Sequence, residues 1–214
     1  MWRCVIYKLY YSPGACSLAP HILLEELGAS YQLELVSIAE GKTDTPEFLS
    51  INPKGRVPVL EVNGSLLTEA PAILVYLSMA FPEKHFLPSN PLENFRCLEW
   101  FNWLSGTIHA VGYGQLWRPQ RFINDSAQYE QISAKGRENI IDSYRHIEKL
   151  LRGRTWSVGN SYSCVDPYLL VFYLWGNAIG LNMGNDYPSW SAHAQQVLSR
   201  DAVQRAIKQE GLPV

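Results

Sequence analysis

The sequence predicts two domains, an α/β domain built on a small mixed sheet and an all-helical domain after it. Three observations predict this. Short apolar runs alternate with turns over residues 1–86, and two of those runs flank Asn63-Gly64, the strongest short hairpin signal. Beyond Phe86 the apolar residues recur only at helical spacing. The order β-α-β-(α)-β-β-α buries its apolar faces when helices lie on each side of the sheet.

Val5 to Tyr11 reads as a buried strand, with Trp2 to Val5 either extending it or forming a tail. Ser12-Pro13-Gly14 then turns the chain into an apolar helix from Ser17 to Leu27 that Gly28 ends. Gln32 to Val36 alternates as a second strand, and a Pro-initiated helical turn near Glu47 to Leu49 leads to Asn52-Pro53-Lys54-Gly55. Val59 to Val62 and Ser65 to Leu67 form the hairpin, and Thr68 caps a helix running to about Phe81. Pro82 to Pro91 contains three prolines and reads as a linker, which divides the chain into domains at 1–86 and 92–214. Helices are expected near Leu92 to Leu116, Ser126 to Leu151, Ser163 to Ala178, Pro188 to Leu198 and Asp201 to Gln209.

Composition excludes several functions. Hydrophobic residues make up 47 % and charged residues 18 % of 214, with seven Trp, which rules out disorder and coiled coil. The formal charge is -2 and basic residues do not cluster, so nucleic acid is not an expected partner. The longest apolar run, Tyr168 to Trp175, is eight residues, far below the roughly twenty of a membrane span. The N-terminus lacks the apolar core of a signal peptide, so a cytoplasmic location is expected. Cys4, Cys16, Cys97 and Cys164 lie far apart and read as free thiols. No metal is expected, because His85, His146 and His193 lack partners at ligand spacing. His21, on an apolar helix, reads as structural.

Three places can carry chemistry. Cys16 follows the turn into the first helix, where free N–H groups and the helix dipole favour a thiolate. It reads alternatively as a small buried hydrophobe. With no second cysteine in Cys16-Ser17-Leu18-Ala19, any thiol chemistry needs an external partner. Ser17 either donates its hydroxyl to a bound sulfur or caps the helix. Val57-Pro58 precedes the third strand, and a cis bond there would turn the Val57 N–H and C=O outward to pair with an extended peptide; an ordinary trans edge proline is the alternative. Glu69 and Ala70 open the helix after the hairpin, where a carboxylate beside free N–H groups holds a zwitterionic amino-acid group, or simply complements the dipole. Together the three fit a short, acidic, sulfur-containing peptide.

The segments Tyr10 to His21, Asn52 to Pro58 and Leu67 to Ile73, together with Ser163-Cys164-Val165-Asp166, closely resemble the bacterial beta-class glutathione transferases, and the resemblance spans essentially the whole chain. It implies a thioredoxin-like N-terminal domain, an all-helical C-terminal domain, and a homodimer with its active site in the cleft between domains. The family's cysteine matches Cys16, its neighbouring serine Ser17, its cis-proline segment Val57 and Pro58, and its γ-glutamyl-binding acid Glu69. Ala70 offers only a backbone N–H where many relatives carry a serine. The family's helical-domain histidine matches His109 and its glutathione-contacting asparagine Asn102; two helical turns would put both on one face. Lys42 is the expected further basic contact. Tyr113 and Trp117 are expected to line the acceptor pocket, although aromatics at helical spacing also fit a core. Ser163 to Asp166 looks like the family's capping box.

Departures from the pattern are Ala110, where lysine is frequent, and one extra residue before Arg118-Pro119, in a stretch that Gly112 and Gly114 make flexible. The implied activity is attack of the glutathione thiolate, held as co-substrate, on a small hydrophobic electrophile, with His109 polarising the sulfur or the leaving group. Two alternatives are a Cys16-dependent thiol-disulfide reductase or peroxidase and a non-catalytic, glutathione-dependent binding protein for hydrophobic ligands.

Overall fold

Strand alternation in the first half builds a four-stranded sheet from β1 (Tyr7–Tyr11), β2 (Tyr31–Leu35), β3 (Val59–Val62) and β4 (Ser65–Thr68), in the order β2-β1-β3-β4. A computed structural model describes residues 6–213, so the expected extension of the first strand by Trp2 to Val5 lies outside the described residues, as does Cys4. β1 pairs parallel with β2 and antiparallel with β3, and β3 pairs antiparallel with β4. Asn63 and Gly64 both take positive φ, 50° and 82°, which is the type I′ geometry that the Asn-Gly pair supplies.

Successive β1 side chains alternate between two cores. Tyr7 and Leu9 join the main core, shared with α1 (Leu18–Leu27) and α3 (Ala70–Ala80), while Tyr10 joins Val36, Phe48, Val57 and Val59 under α2 (Pro46–Ile51). Gly28 ends α1 in the left-handed region at φ 63°, its N–H bonded to Glu25 O. Thr68 is not the cap of α3: it ends β4, and Glu69 takes the cap position without a side-chain cap bond.

The helical half follows the short 3-10 turn Pro82–Lys84. Its first helix is α4 (Pro91–Asn102), which continues without a break through a π-helical stretch, Trp103–Tyr113, into α5 (Gly114–Trp117). α6 (Tyr129–Leu151), α7 (Asp166–Ala178), α8 (Met183–Asp186), α9 (Pro188–Leu198) and α10 (Asp201–Glu210) complete it; the one-turn α8 was not expected from the sequence. Gly112 and Gly114 do not loosen the chain. A Cβ on Gly112 would meet Ile140 Cγ1 at 2.9 Å, and one on Gly136 of α6 would meet Leu116 N at 2.6 Å and Gly112 O at 2.8 Å, so these glycines let two helices cross closely.

Asp166 anchors this half. Its buried carboxylate accepts from Ser157 N–H (2.9 Å), Ser163 N–H (2.6 Å), Ser163 Oγ (2.9 Å) and His193 Nε2 (2.7 Å). Burial raises its pKa, but these bonds and His193 more than offset that and hold it below the usual range.

Candidate active site

Sheet register gathers the sequence-predicted segments. Tyr10 pairs with Val59 and Val59 with Thr68, so the exit of β1, the entry of β3 and the exit of β4 share one end of the sheet. The Ser12–Ser17 loop leaves β1 there, Val57-Pro58 enters β3 there, and Glu69-Ala70 leaves β4 there.

Cys16 lies in the turn just before α1, nearly buried, and its thiol donates to Val57 O at 3.5 Å. Burial pushes its pKa up to about 12, aided by Glu69 and opposed by its own backbone N–H and Arg56. The thiolate expected from the helix end is therefore not the resting form, because desolvation outweighs the backbone N–H and Arg56. Ser17 is fully buried; its hydroxyl donates to Ser12 O (3.1 Å) and accepts from Ser12 N–H (3.2 Å). That hydroxyl closes the loop and faces no open space, so the reading of Ser17 as sulfur donor is corrected, while Ser17 holds the N-cap position of α1 without a side-chain cap bond.

The Val57-Pro58 bond is cis. Val57 O takes the Cys16 thiol, whereas the Val57 N–H has no partner among the described residues. Asn52 shapes the approach, donating from Nδ2 to Arg56 O (2.6 Å) and accepting from Lys54 N–H (3.2 Å). Glu69 sits at φ 71°, a left-handed value that costs a non-glycine residue. Its Oε1 accepts from Lys54 Nζ at 2.6 Å, and the same ammonium reaches Thr68 Oγ1 at 2.7 Å. Oε2 has no partner among the described residues, and neither does the N–H of Ala70, the first residue of α3.

His109 faces this end of the sheet from the π-helical stretch. Its ring lies against Trp175 (4.9 Å between centroids) and Phe172 (6.3 Å). Burial pushes its pKa down to about 4, helped by the charges of Arg56, Arg118 and Arg121 and opposed by Glu69. Asn102 does not share those surroundings. It lines an apolar groove against α3 with Leu67, Pro71 and Phe101, and its Nδ2 donates to Leu98 O at 2.8 Å. The wider π winding removes the two-turn relation expected from a spacing of seven.

Tyr113 is core: it is fully buried and its hydroxyl is bonded to Tyr144 Oη at 2.5 Å, so it offers the cleft no polar group and its acceptor-pocket assignment is corrected. Trp117, its ring tilted against that of Tyr113, is exposed. Lys42 stands exposed on the 3-10 turn Lys42–Asp44. The cations that act on the site residues are Arg56, Arg118 and Arg121, with Lys54 on Glu69. Lys54 and Arg56 were findable, since they flank the Val57-Pro58 segment in sequence.

The helical half also grips the Cys16 loop. Gly14 N–H donates to Glu210 Oε2 (2.9 Å), and Gly14 O accepts from Trp175 Nε1 (2.8 Å). Glu210 Oε1 bonds His21 Nδ1 (2.9 Å), with both side chains fully buried. His21 thus has the structural role read for it.

The sequence matches the family models for the glutathione S-transferase N-terminal domain over residues 6–79 and the glutathione S-transferase C-terminal domain over residues 118–201. The chain belongs to the glutathione S-transferase family. It is an enzyme of the transferase class, with the transferase fold of a thioredoxin-like domain followed by a helical one. This transferase is 32 % identical to glutathione S-transferase GstA of Escherichia coli O157:H7 over 208 residues, covering 96 % of this chain and 99 % of that one. It superposes with a TM-score of 0.90 on a glutathione transferase homologue from Sulfitobacter with bound glutathione, at 30 % identity and covering 97 % and 99 % of the two chains. The bacterial beta-class glutathione S-transferase of Sphingomonas chungbukensis superposes at 0.83, with 32 % identity and coverage of 96 % and 100 %.

Proposed function

We propose that glutathione docks across this end of the sheet as an added extended strand and that its thiolate attacks a small electrophile held by the helical half. The observation that carries the reading is the unpartnered Val57 N–H lying between Cys16 and Glu69 at one sheet end. The γ-glutamyl ammonium meets Glu69 Oε2, the neighbouring carboxylate meets the N–H at Ala70, and Pro58 holds Val57 in register. The glycyl carboxylate lies beside Arg56. Asn102, in the groove with Leu67 and Pro71 that flank Glu69 and Ala70, and Lys42 are given no contact in this reading.

The sulfur then lies at Cys16. Because Cys16 keeps its proton, its thiol turns from Val57 O to donate to the glutathione sulfur when the tripeptide is seated, rather than acting as a nucleophile, which favours conjugation over Cys16-dependent reduction. His109, neutral at pH 7, is free to take the glutathione proton or to polarise a leaving group. The likeness to a beta-class structure supports membership of that class. The groove between α3 and α4, with Met79 and Phe95 exposed beside it, supports a homodimer through that face. A detoxifying role in the cytoplasm, which maintains a glutathione pool, completes the reading.

Calorimetric titration of glutathione into wild type and Glu69→Gln tests it. Loss of a charge-assisted bond is expected to weaken binding about tenfold or more. No association with wild type at millimolar glutathione overturns the reading.

A further inference from the structure

Beyond His109 the long helix ends at Trp117. Trp117, 45 % exposed, meets Trp175 edge to face at 5.2 Å between centroids, and Trp175 in turn touches His109. Arg118 comes next in the chain. The 3-10 turn Pro119–Arg121 follows, with Arg121 N–H donating to Arg118 O at 3.0 Å. That bond closes the turn and holds Arg118 and Arg121 at its two ends. Their charges act on His109 together with that of Arg56 across the cleft, and Arg118 and Arg56 also act on Arg121. Among the described residues none of these three guanidinium groups forms an ion pair, whereas Arg96, Arg145, Arg200 and Arg205 each hold a carboxylate. The acids facing the cluster are Glu69, already engaged by Lys54, and Asp44.

Like charges gathered beside an aromatic platform are unfavourable alone and become favourable when an anion enters. Arg56 adjoins Val57 and is used by the glycyl carboxylate, which leaves two forks on the acceptor side. We propose that the acceptor substrate carries a carboxylate, held by Arg118 and Arg121, with its electrophilic ring over Trp117 and directed at the glutathione sulfur. This rests on the reading that glutathione occupies the seat at Val57 and Glu69. With 4-chloro-3-nitrobenzoate as probe, the sulfur forms a C–S bond at the chlorinated carbon. The C–Cl pair leaves as chloride, and the thiol proton passes to solvent.

The test uses two glutathione conjugates that differ only in charge, those formed from 4-chloro-3-nitrobenzoate and from its neutral amide. Their dissociation constants are measured calorimetrically with wild type, Arg118→Ala/Arg121→Ala and Arg118→Lys/Arg121→Lys. Wild type is expected to prefer the acid about tenfold or more. That preference should collapse to about twofold in the alanine variant, be intermediate in the lysine variant, which keeps charge but loses the fork, and shrink as salt rises. Equal binding of the two conjugates to wild type overturns the proposal. So does an equal weakening of both in the alanine variant, which would mean that the arginines serve glutathione itself. If glutathione and both conjugates all fail to bind, the glutathione reading fails and takes this proposal with it; normal glutathione binding without an acid preference rejects this proposal alone.

Discussion

A thiol that donates to Val57 O inside the protein must lose that bond and remain unsolvated in order to ionise, and so Cys16 stays protonated at neutral pH. Iodoacetamide at pH 8 should therefore alkylate Cys16 in the native protein at least about a hundredfold more slowly than free cysteine, as read by peptide mass mapping. Labelling at the free-cysteine rate would contradict the assignment of donor rather than nucleophile. His109 shifts in the opposite direction, down to about 4 from 6.5. Between those values the unfolded chain binds the extra proton and the folded chain does not. Stability from this group is therefore present above pH 6.5 and is lost as pH falls toward 4. Urea melts across that window should show His109→Gln losing less stability on acidification than wild type; parallel pH dependence would count against a neutral, buried imidazole.

The crossing of the long first helix of the helical half with α6 relies on absent side chains. At Gly136 an added Cβ would strike backbone atoms, Leu116 N at 2.6 Å and Gly112 O at 2.8 Å, which cannot yield separately. At Gly112 it would strike the Ile140 side chain, which can move. Gly136→Ala should cost about 3 kcal/mol and Gly112→Ala about 1 kcal/mol in denaturant melts; equal, negligible losses would mean that the helices separate freely. Periodicity and turn chemistry made the elements legible: Gly28 as a helix stop and Asn63-Gly64 as a hairpin turn. Local pattern was not enough where tertiary pairing decided. Thr68 was drawn into β4 by its partner Val59. The π winding of Trp103–Tyr113 leaves no mark in an apolar period, so the relation of Asn102 to His109 was misjudged. Glycines that read as flexible were glycines of close contact.

At the scale of the whole molecule, the Ser12–Ser17 loop is held by both halves. Glu210 and Trp175 hold the two sides of Gly14, and His21 is buried against Glu210. Bonds across 196 and 161 positions have no local signature, which is why Cys16, Val57-Pro58 and Glu69 could be singled out in the sequence while the contacts that hold the loop could not. Glu210→Ala should cost about 3 kcal/mol or more by stranding His21 and the Gly14 N–H, and it should weaken glutathione binding in the same preparation. Lost stability with intact binding would separate the clamp from the site. The central claim is the placement of the tripeptide, and a crystal structure of the complex with glutathione tests it most directly. The account predicts a backbone bond from Val57 N–H, the ammonium on Glu69, and the sulfur within about 4 Å of Cys16 Sγ. A tripeptide seated elsewhere, or one whose sulfur points away from Cys16, would contradict it.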